Sequence, residues 1–216
     1  MYLTKDIQVI NEDTKFPCVV ADNWYSPEEE KSVWSELDFY SYQQNIDKAE
    51  TTIVAKYDDG TPKSNAFRWY INNYYFPQET EKVSHICRYT YKLREKGFHD
   101  AINRCPPFNR MFISTNSDST LISYYEDGDY YKSHYDVFSW TCLIWFTREP
   151  KIWTGGDLEL PESKTQIRFQ HNRAVFIPCC YLHKVTPVKF TKKPKRSGMG
   201  RYTITHFLFS RPDVIV

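Results

Sequence analysis

Leu121-Ile122-Ser123-Tyr124-Tyr125 runs through Glu126-Asp127-Gly128-Asp129 and Tyr130-Tyr131-Lys132-Ser133 into His134-Tyr135-Asp136. Apolar and polar side chains alternate on both sides of an Asp-Gly pair, and that pair supplies the positive φ that a tight hairpin turn needs. The reading is two short strands joined by a hairpin. Working outward, a period of two recurs after Pro106-Pro107, in runs near 109–115, 120–126, 129–136, 140–147, 156–160, 165–170, 173–178, 182–190 and 201–209. These runs are rich in Tyr, Phe, Ile, Val and Thr and are separated by turn residues. Many short strands without interleaved helices predict an all-β sandwich or jelly roll.

The N-terminal half has a different period. After a short lead, Phe16 to Val20, comes Ser26-Pro27-Glu28-Glu29. Ser26 suits an N-cap, Pro27 the first helical position, and Glu29 completes a capping box. With Val33, Trp34 and Leu37 on one face, a helix is predicted over 27–38. Residues 40–66 are polar and read as a long surface loop. A second helix is predicted from Pro77 to Lys96, on the 3/4 spacing of Val83, Ile86, Cys87, Thr90 and Leu93, with Gly97 as its stop. The chain is expected to form one domain over 1–216, mainly β, with a helical support layer about 20–105 and a β core about 108–210.

Composition narrows the function. Only 7 of 216 residues are Gly, which excludes collagen-like and Gly-rich scaffolds, whereas 17 Tyr, 14 Phe and 6 Trp can fill a large core. A net charge of +1 disfavours nucleic acid as a partner. The basic cluster Lys189, Lys192, Lys193, Lys195 and Arg196 reads as a solvated hairpin tip. Mean hydropathy is −0.63, and no apolar run approaches a membrane span. Six cysteines without CxxC spacing, and no apolar leader, give the expectation of reduced thiols in a soluble, intracellular (cytoplasmic) protein.

Chemistry concentrates in the C-terminal half. In a strand, residues i and i+2 share a face, so His134 and Asp136 present an imidazole and a carboxylate together. By itself such a pair is weak, because chance produces one readily in a chain of this composition. His183 opens a later strand, after the apolar run Ala174 to Ile177. Two His and one Asp would make a facial triad that holds Fe(II) and leaves positions open. Arg201 opens the last strand and alternates with Thr203, Thr205 and Phe207, where it can grip a carboxylate bidentately. Lys189 is the alternative cation. His206 falls out of phase with Arg201, and His171, read as part of a turn, is expected to be exposed. His85, Cys87, His99 and Cys105 lack the spacing of a structural zinc site. Trp69-Tyr70 and Tyr74-Tyr75-Phe76 read as core.

Six stretches in register resemble the prolyl 4-hydroxylase branch of the Fe(II)- and 2-oxoglutarate-dependent oxygenases. They are Leu121–Tyr125 with the turn to His134-Tyr135-Asp136, Thr141–Phe146, Gly155–Leu160, Arg173–Pro178, His183–Val188 and Arg201–Ile204. The resemblance covers 121–209 and is weak over 40–110. It implies a double-stranded β-helix (jelly roll, cupin-like) core and a dioxygenase using Fe(II), 2-oxoglutarate and O2, with ascorbate as an auxiliary reductant. It further implies His134, Asp136 and His183 as catalytic iron ligands and Arg201 as the anchor of the distal carboxylate of 2-oxoglutarate. Tyr124 would hydrogen-bond the cosubstrate, while Thr141, Leu143, Trp145 and Thr205 would line its pocket. Two departures stand out: the family often has Tyr where Trp145 stands, and 18 residues separate His183 from Arg201, where about ten are usual for the family. The expected reaction is hydroxylation, first of a prolyl residue in a peptide or protein. A free amino acid, small metabolite or nucleobase remains an alternative substrate, and an inactive binding module an alternative of another class. The 40–66 loop and the 191–200 insert are the expected substrate lids.

Overall fold

A computed structural model describes residues 6–42, 54–71, 80–196 and 198–212. In chain order the N-terminal part forms β1 (Asp6–Ile10), β2 (Cys18–Asp22), helix α1 (Pro27–Tyr42) and β3 (Phe67–Tyr70). Four short helices follow: α2 (Thr80–Val83), α3 (His85–Arg88), α4 (Lys96–Asn103) and α5 (Asn109–Ile113), with a 3-10 turn at Tyr89–Arg94. The rest is β4 (Ser117–Tyr125), β5 (Tyr131–His134), β6 (Trp140–Thr147), β7 (Trp153–Thr154) and β8 (Leu158–Leu160). It ends with β9 (Thr165–Ile167), β10 (Arg173–Pro178), β11 (His183–Val185), β12 (Lys189–Phe190) and β13 (Arg201–Phe209).

The large sheet has the order β1-β2-β10-β6-β13-β4-β3 and the smaller one β5-β11-β8-β9, while β12 and β7 form a separate ribbon. From β4 onward the chain alternates between layers: β4, β6, β10 and β13 in the large sheet, β5, β8, β9 and β11 in the small. All pairings are antiparallel. The β structure thus starts well before residue 108, since β1, β2 and β3 extend both edges of the large sheet.

One face of the large sheet is covered by the helices. Val33, Leu37 and Tyr40 of α1, Ile86 of α3, Phe98 and Ile102 of α4 and Phe112 of α5 pack on Ile122, Ile144, Phe176 and Ile204. Each such side chain, fully buried, contributes about 1.5–3 kcal/mol. The capping box forms as the sequence predicts: Ser26 N donates to Glu29 Oε2 (2.8 Å) and Glu29 N to Ser26 Oγ (3.3 Å). Glu29 also holds Lys92 at 2.6 Å, tying α1 to the 3-10 turn.

Three local expectations change. The single helix over 77–96 is broken, and its start at 77–79 lies outside the described residues. Ser84 caps α3 by accepting from Cys87 N (3.0 Å), and the buried Glu36 accepts from Ser84 Oγ (2.6 Å) and Ile86 N (3.0 Å). A buried carboxylate that collects the free N–H groups of a new helix start competes with helix continuation. Gly97 consequently lies inside α4 rather than ending a helix. The strand predicted at 109–115 is α5: Phe108 and Phe112, four apart, turn inward, and Ile113 is left 57% exposed.

The turn at 126–129 forms but does not make a hairpin. Gly128 has φ +84°, Asp129 N donates to Glu126 O (3.1 Å), and Asp129 Oδ2 accepts from Glu126 N (2.8 Å). Its flanking strands β4 and β5 nonetheless belong to different sheets, so the turn carries the chain across the sandwich. The 40–66 loop is described only from residue 54, and Tyr74-Tyr75-Phe76 lie outside the described residues. Lys192, Lys193, Lys195 and Arg196 are exposed, in keeping with a solvated tip. All six cysteines are free. No described helix is long and apolar enough to cross a membrane.

Candidate active site

Between the two sheets opens a cavity of about 470 Å³. Its inner wall is the odd-numbered face of β4 and β13: Leu121, Ser123 and Tyr125 beside Arg201, Thr203 and Thr205. His134, Asp136 and His183 project from the small-sheet side. His134 ends β5 and pairs directly with His183, the first residue of β11, which sets their rings 4.2 Å apart. The strand stops at His134, so Asp136 reaches the cluster from the following loop, where its N–H donates to Cys179 O (3.2 Å). Asp136 Oδ1 lies 3.7 Å from His134 Nε2, and Oδ2 lies 3.5 Å from His183 Nε2. One donor atom from each of the three residues falls within 4.8 Å of the others.

Local bonds orient these donors. His134 Nδ1 meets Lys132 O at 2.8 Å, and His183 Nδ1 meets Tyr181 O at 2.9 Å. A carbonyl only accepts, so each Nδ1 carries the proton and each Nε2 keeps its lone pair toward the cluster. Burial first, then the neighbouring His183, pushes the His134 pKa down to about 2, which keeps this imidazole neutral. Thr141 Oγ1 donates to Asp136 Oδ2 at 2.5 Å. Two imidazoles and a carboxylate are the donor set that suits Fe(II).

Arg201 is 1% exposed at the inner end of the cavity. Its guanidinium is boxed by the rings of Tyr125 (5.0 Å), Trp145 (5.3 Å) and Phe169 (5.7 Å). Nη1 donates to Thr203 Oγ1, but Nε is buried without a partner. Desolvation lowers its pKa to about 10, against the raising influence of Tyr125 and Asp157, and the group stays charged at neutral pH. An orphaned donor on a buried cation inside a cavity fits the carboxylate of a cosubstrate. Gly156 makes the room: with φ +69°, a Cβ there would stand 2.7 Å from Arg201 Cδ. Lys189, the alternative cation, is exposed on β12 and outside the cavity.

The remaining expected residues divide. Leu143 and Thr205 line the cavity. Trp145 stands behind Arg201, stacked on Phe169 (5.8 Å, 18°), with its own N–H unpartnered; it is a wall. Tyr124 faces the other way: it packs on Tyr202 in the helix-side core, and its hydroxyl accepts from Gly200 N (3.1 Å). Tyr125 holds the cavity position instead, because Arg201 pairs with Tyr125 and their side chains share a face. Thr141, expected in the cosubstrate pocket, serves Asp136. His171 is half-buried rather than exposed, bonded to Glu30 (2.9 Å) and Thr147 N (3.2 Å). His206 is buried on the helix side against Thr120 (2.9 Å), as its phase predicts. Sequence reading missed Arg68 and Tyr131 in the cavity lining. Parity with Ser123 would have found Tyr125, whereas nothing local marks Arg68.

Residues 120–209 match the family model of the 2OG-Fe(II) oxygenase superfamily. Over this stretch the chain is similar to the 2-oxoglutarate-dependent oxygenases, whose chemistry uses Fe(II), 2-oxoglutarate and O2, and the buried His134, Asp136 and His183 form a donor set that could hold the iron. The fold is the double-stranded β-helix. A prolyl-4-hydroxylase from Pseudomonas putida superposes with a TM-score of 0.59 at 14% identity, covering 90% of this chain and 92% of that one. A 2OG-Fe(II) oxygenase-family oxidoreductase from Burkholderia pseudomallei gives 0.53 at 12%, covering 89% and 84%. No curated protein matches the sequence.

Proposed function

We propose that the chain, acting as one oxygenase domain, hydroxylates a prolyl residue of a peptide or protein. In this reading His134, Asp136 and His183 hold Fe(II), and Arg201 anchors the distal carboxylate of 2-oxoglutarate. The observation that carries it is the convergence of the three donors at one end of a cavity whose other end is a buried, incompletely bonded arginine. Held by these residues, iron and 2-oxoglutarate would supply the coupling of oxidative decarboxylation to C–H hydroxylation, one atom of O2 going to succinate and the other to the new hydroxyl, with release of CO2.

The protein's part is positioning. The Lys132 and Tyr181 carbonyls hold both imidazoles in the ligating tautomer, and Thr141 holds the carboxylate. Arg201, with Thr203 and Thr205 beside it, orients the cosubstrate, while Leu143 and Trp145 keep its surroundings dry. Tyr125 rather than Tyr124 stands where a cosubstrate contact is available. Two features support a peptide: the fold shared with a prolyl-4-hydroxylase, and an apolar rim in which Val137 is 90% exposed beside Tyr135. Incubation with Fe(II), 2-oxoglutarate and prolyl peptides should give succinate together with peptide carrying one added oxygen atom. Succinate formation that no prolyl peptide stimulates, with no oxygenated peptide by mass spectrometry, would overturn the substrate assignment.

A further inference from the structure

A second arginine faces the same cavity and has no task in the chemistry above. Arg68 lies on β3, the last strand at that edge of the large sheet, and is paired with Ser123, whose other neighbour is Thr203. Residues directly opposite one another share a face, so Arg68 points into the cavity it lines. It is 5% exposed. Its guanidinium sits over the Tyr131 ring at 4.4 Å, and Tyr131 in turn stacks on His134 at 3.5 Å and 15°. Two ring contacts therefore link it to a proposed metal ligand.

Among the described residues no anion meets Arg68. Its Nε is buried without a hydrogen-bond partner, and among the described residues no carboxylate pairs with the guanidinium. Of the other sheltered cations among the described residues, Lys92 is paired with Glu29 and Arg173 with Asp22, both at 2.6 Å, whereas Arg201 is open in the same way and has the cosubstrate as its proposed partner. Asp136, the one carboxylate among the described lining residues, is engaged by Thr141 and the two histidines. A buried guanidinium without a counter-charge is costly, and its planar fork matches a carboxylate. The cosubstrate cannot supply that carboxylate: 2-oxoglutarate has two, one for Arg201 and one for the metal end.

We propose that Arg68 is a specificity-determining residue that binds a carboxylate of the substrate, beside the carbon that is oxidised. The inference rests on the prolyl hydroxylase reading and sharpens it: the target proline carries a carboxylate, either its own or that of an adjacent acidic side chain. Isothermal titration of the anaerobic protein loaded with Fe(II) and 2-oxoglutarate tests it with two matched pairs. The first is N-acetyl-L-proline against N-acetyl-L-prolinamide; the second is a Pro-Glu against a Pro-Gln peptide, amidated at the C-terminus. In at least one pair the carboxylate member should bind about tenfold tighter or more, and the pair that shows this identifies the source. Arg68→Gln should abolish the preference with 2-oxoglutarate affinity and thermal stability unchanged, and Arg68→Lys should retain part of it. Equal binding within both pairs, binding of none of the four probes, or a preference that survives Arg68→Gln overturns the proposal. So does Arg68→Gln raising the Kd for 2-oxoglutarate with the acid–amide preference intact, which would assign Arg68 to the cosubstrate. If the wild type forms no Fe(II)/2-oxoglutarate complex, the enzyme reading fails separately, and the same titrations on metal-free protein still decide Arg68.

Discussion

The two faces of the large sheet are made from the same strands and do opposite work. Even positions of β4 and β13, among them Ile122, Tyr124, Tyr202 and Ile204, pack against the helices in an apolar layer. Odd positions, Ser123, Tyr125, Arg201, Thr203 and Thr205, face the cavity, equally buried but polar. On the helix side the buried His206 is bonded to Thr120 and held neutral, burial having lowered its pKa to about 4. On the cavity side the open buried donors at Arg201 Nε and Arg68 Nε belong to cations, whereas those in the helix-side layer, at Tyr25 Oη and Trp69 Nε1, are neutral. One face holds the fold together, and the other keeps bonding capacity in reserve for a ligand.

Substitutions that separate stability from ligand affinity would break or sharpen that contrast. Ile204→Ala should have the largest thermodynamic effect, about 2–5 kcal/mol from a cavity in the helix-side layer. Chemical denaturation should register it, with the KM for 2-oxoglutarate unchanged in the folded protein. Arg201→Ala should do the reverse, raising that KM about 10–100-fold as one charge-assisted interaction is lost, each 1.4 kcal/mol being about tenfold. Thr141→Val, which frees Asp136 from its orienting bond, should weaken Fe(II) affinity about tenfold, read by metal titration. The smallest effect is the most pointed. Tyr125→Phe should raise the KM for 2-oxoglutarate a few-fold, whereas Tyr124→Phe should cost about 0.5–1.5 kcal/mol of stability and leave KM alone. The opposite outcome for this pair would reverse the assignment of faces.

Much of this was legible in the sequence because strand alternation is a local property. The limits of β6, β10 and β13 coincide with the runs read from period two, and the order of motifs brought His134, Asp136 and His183 together on paper. The errors share a cause. Tyr124 and Tyr125 are chemically alike, and a one-residue slip in phase sends a side chain to the wrong face. The Asp-Gly turn was recognisable, but whether its strands pair or part depends on β11 and β13, far along the chain. The break at Ser84 comes from Glu36 on another helix. Arg68 carries no local mark because its neighbours in the cavity, Ser123 and Tyr131, lie more than fifty residues away.

The central claim is that His134, Asp136 and His183 form one metal site shared with a cosubstrate held by Arg201. Adding Fe(II) and 2-oxoglutarate to the anaerobic protein tests it most directly. The account predicts a visible metal-to-ligand charge-transfer band that saturates with 2-oxoglutarate, disappears in Asp136→Ala, and needs a much higher 2-oxoglutarate concentration in Arg201→Ala. No band in the wild type, or a band of full strength in Asp136→Ala, would contradict it.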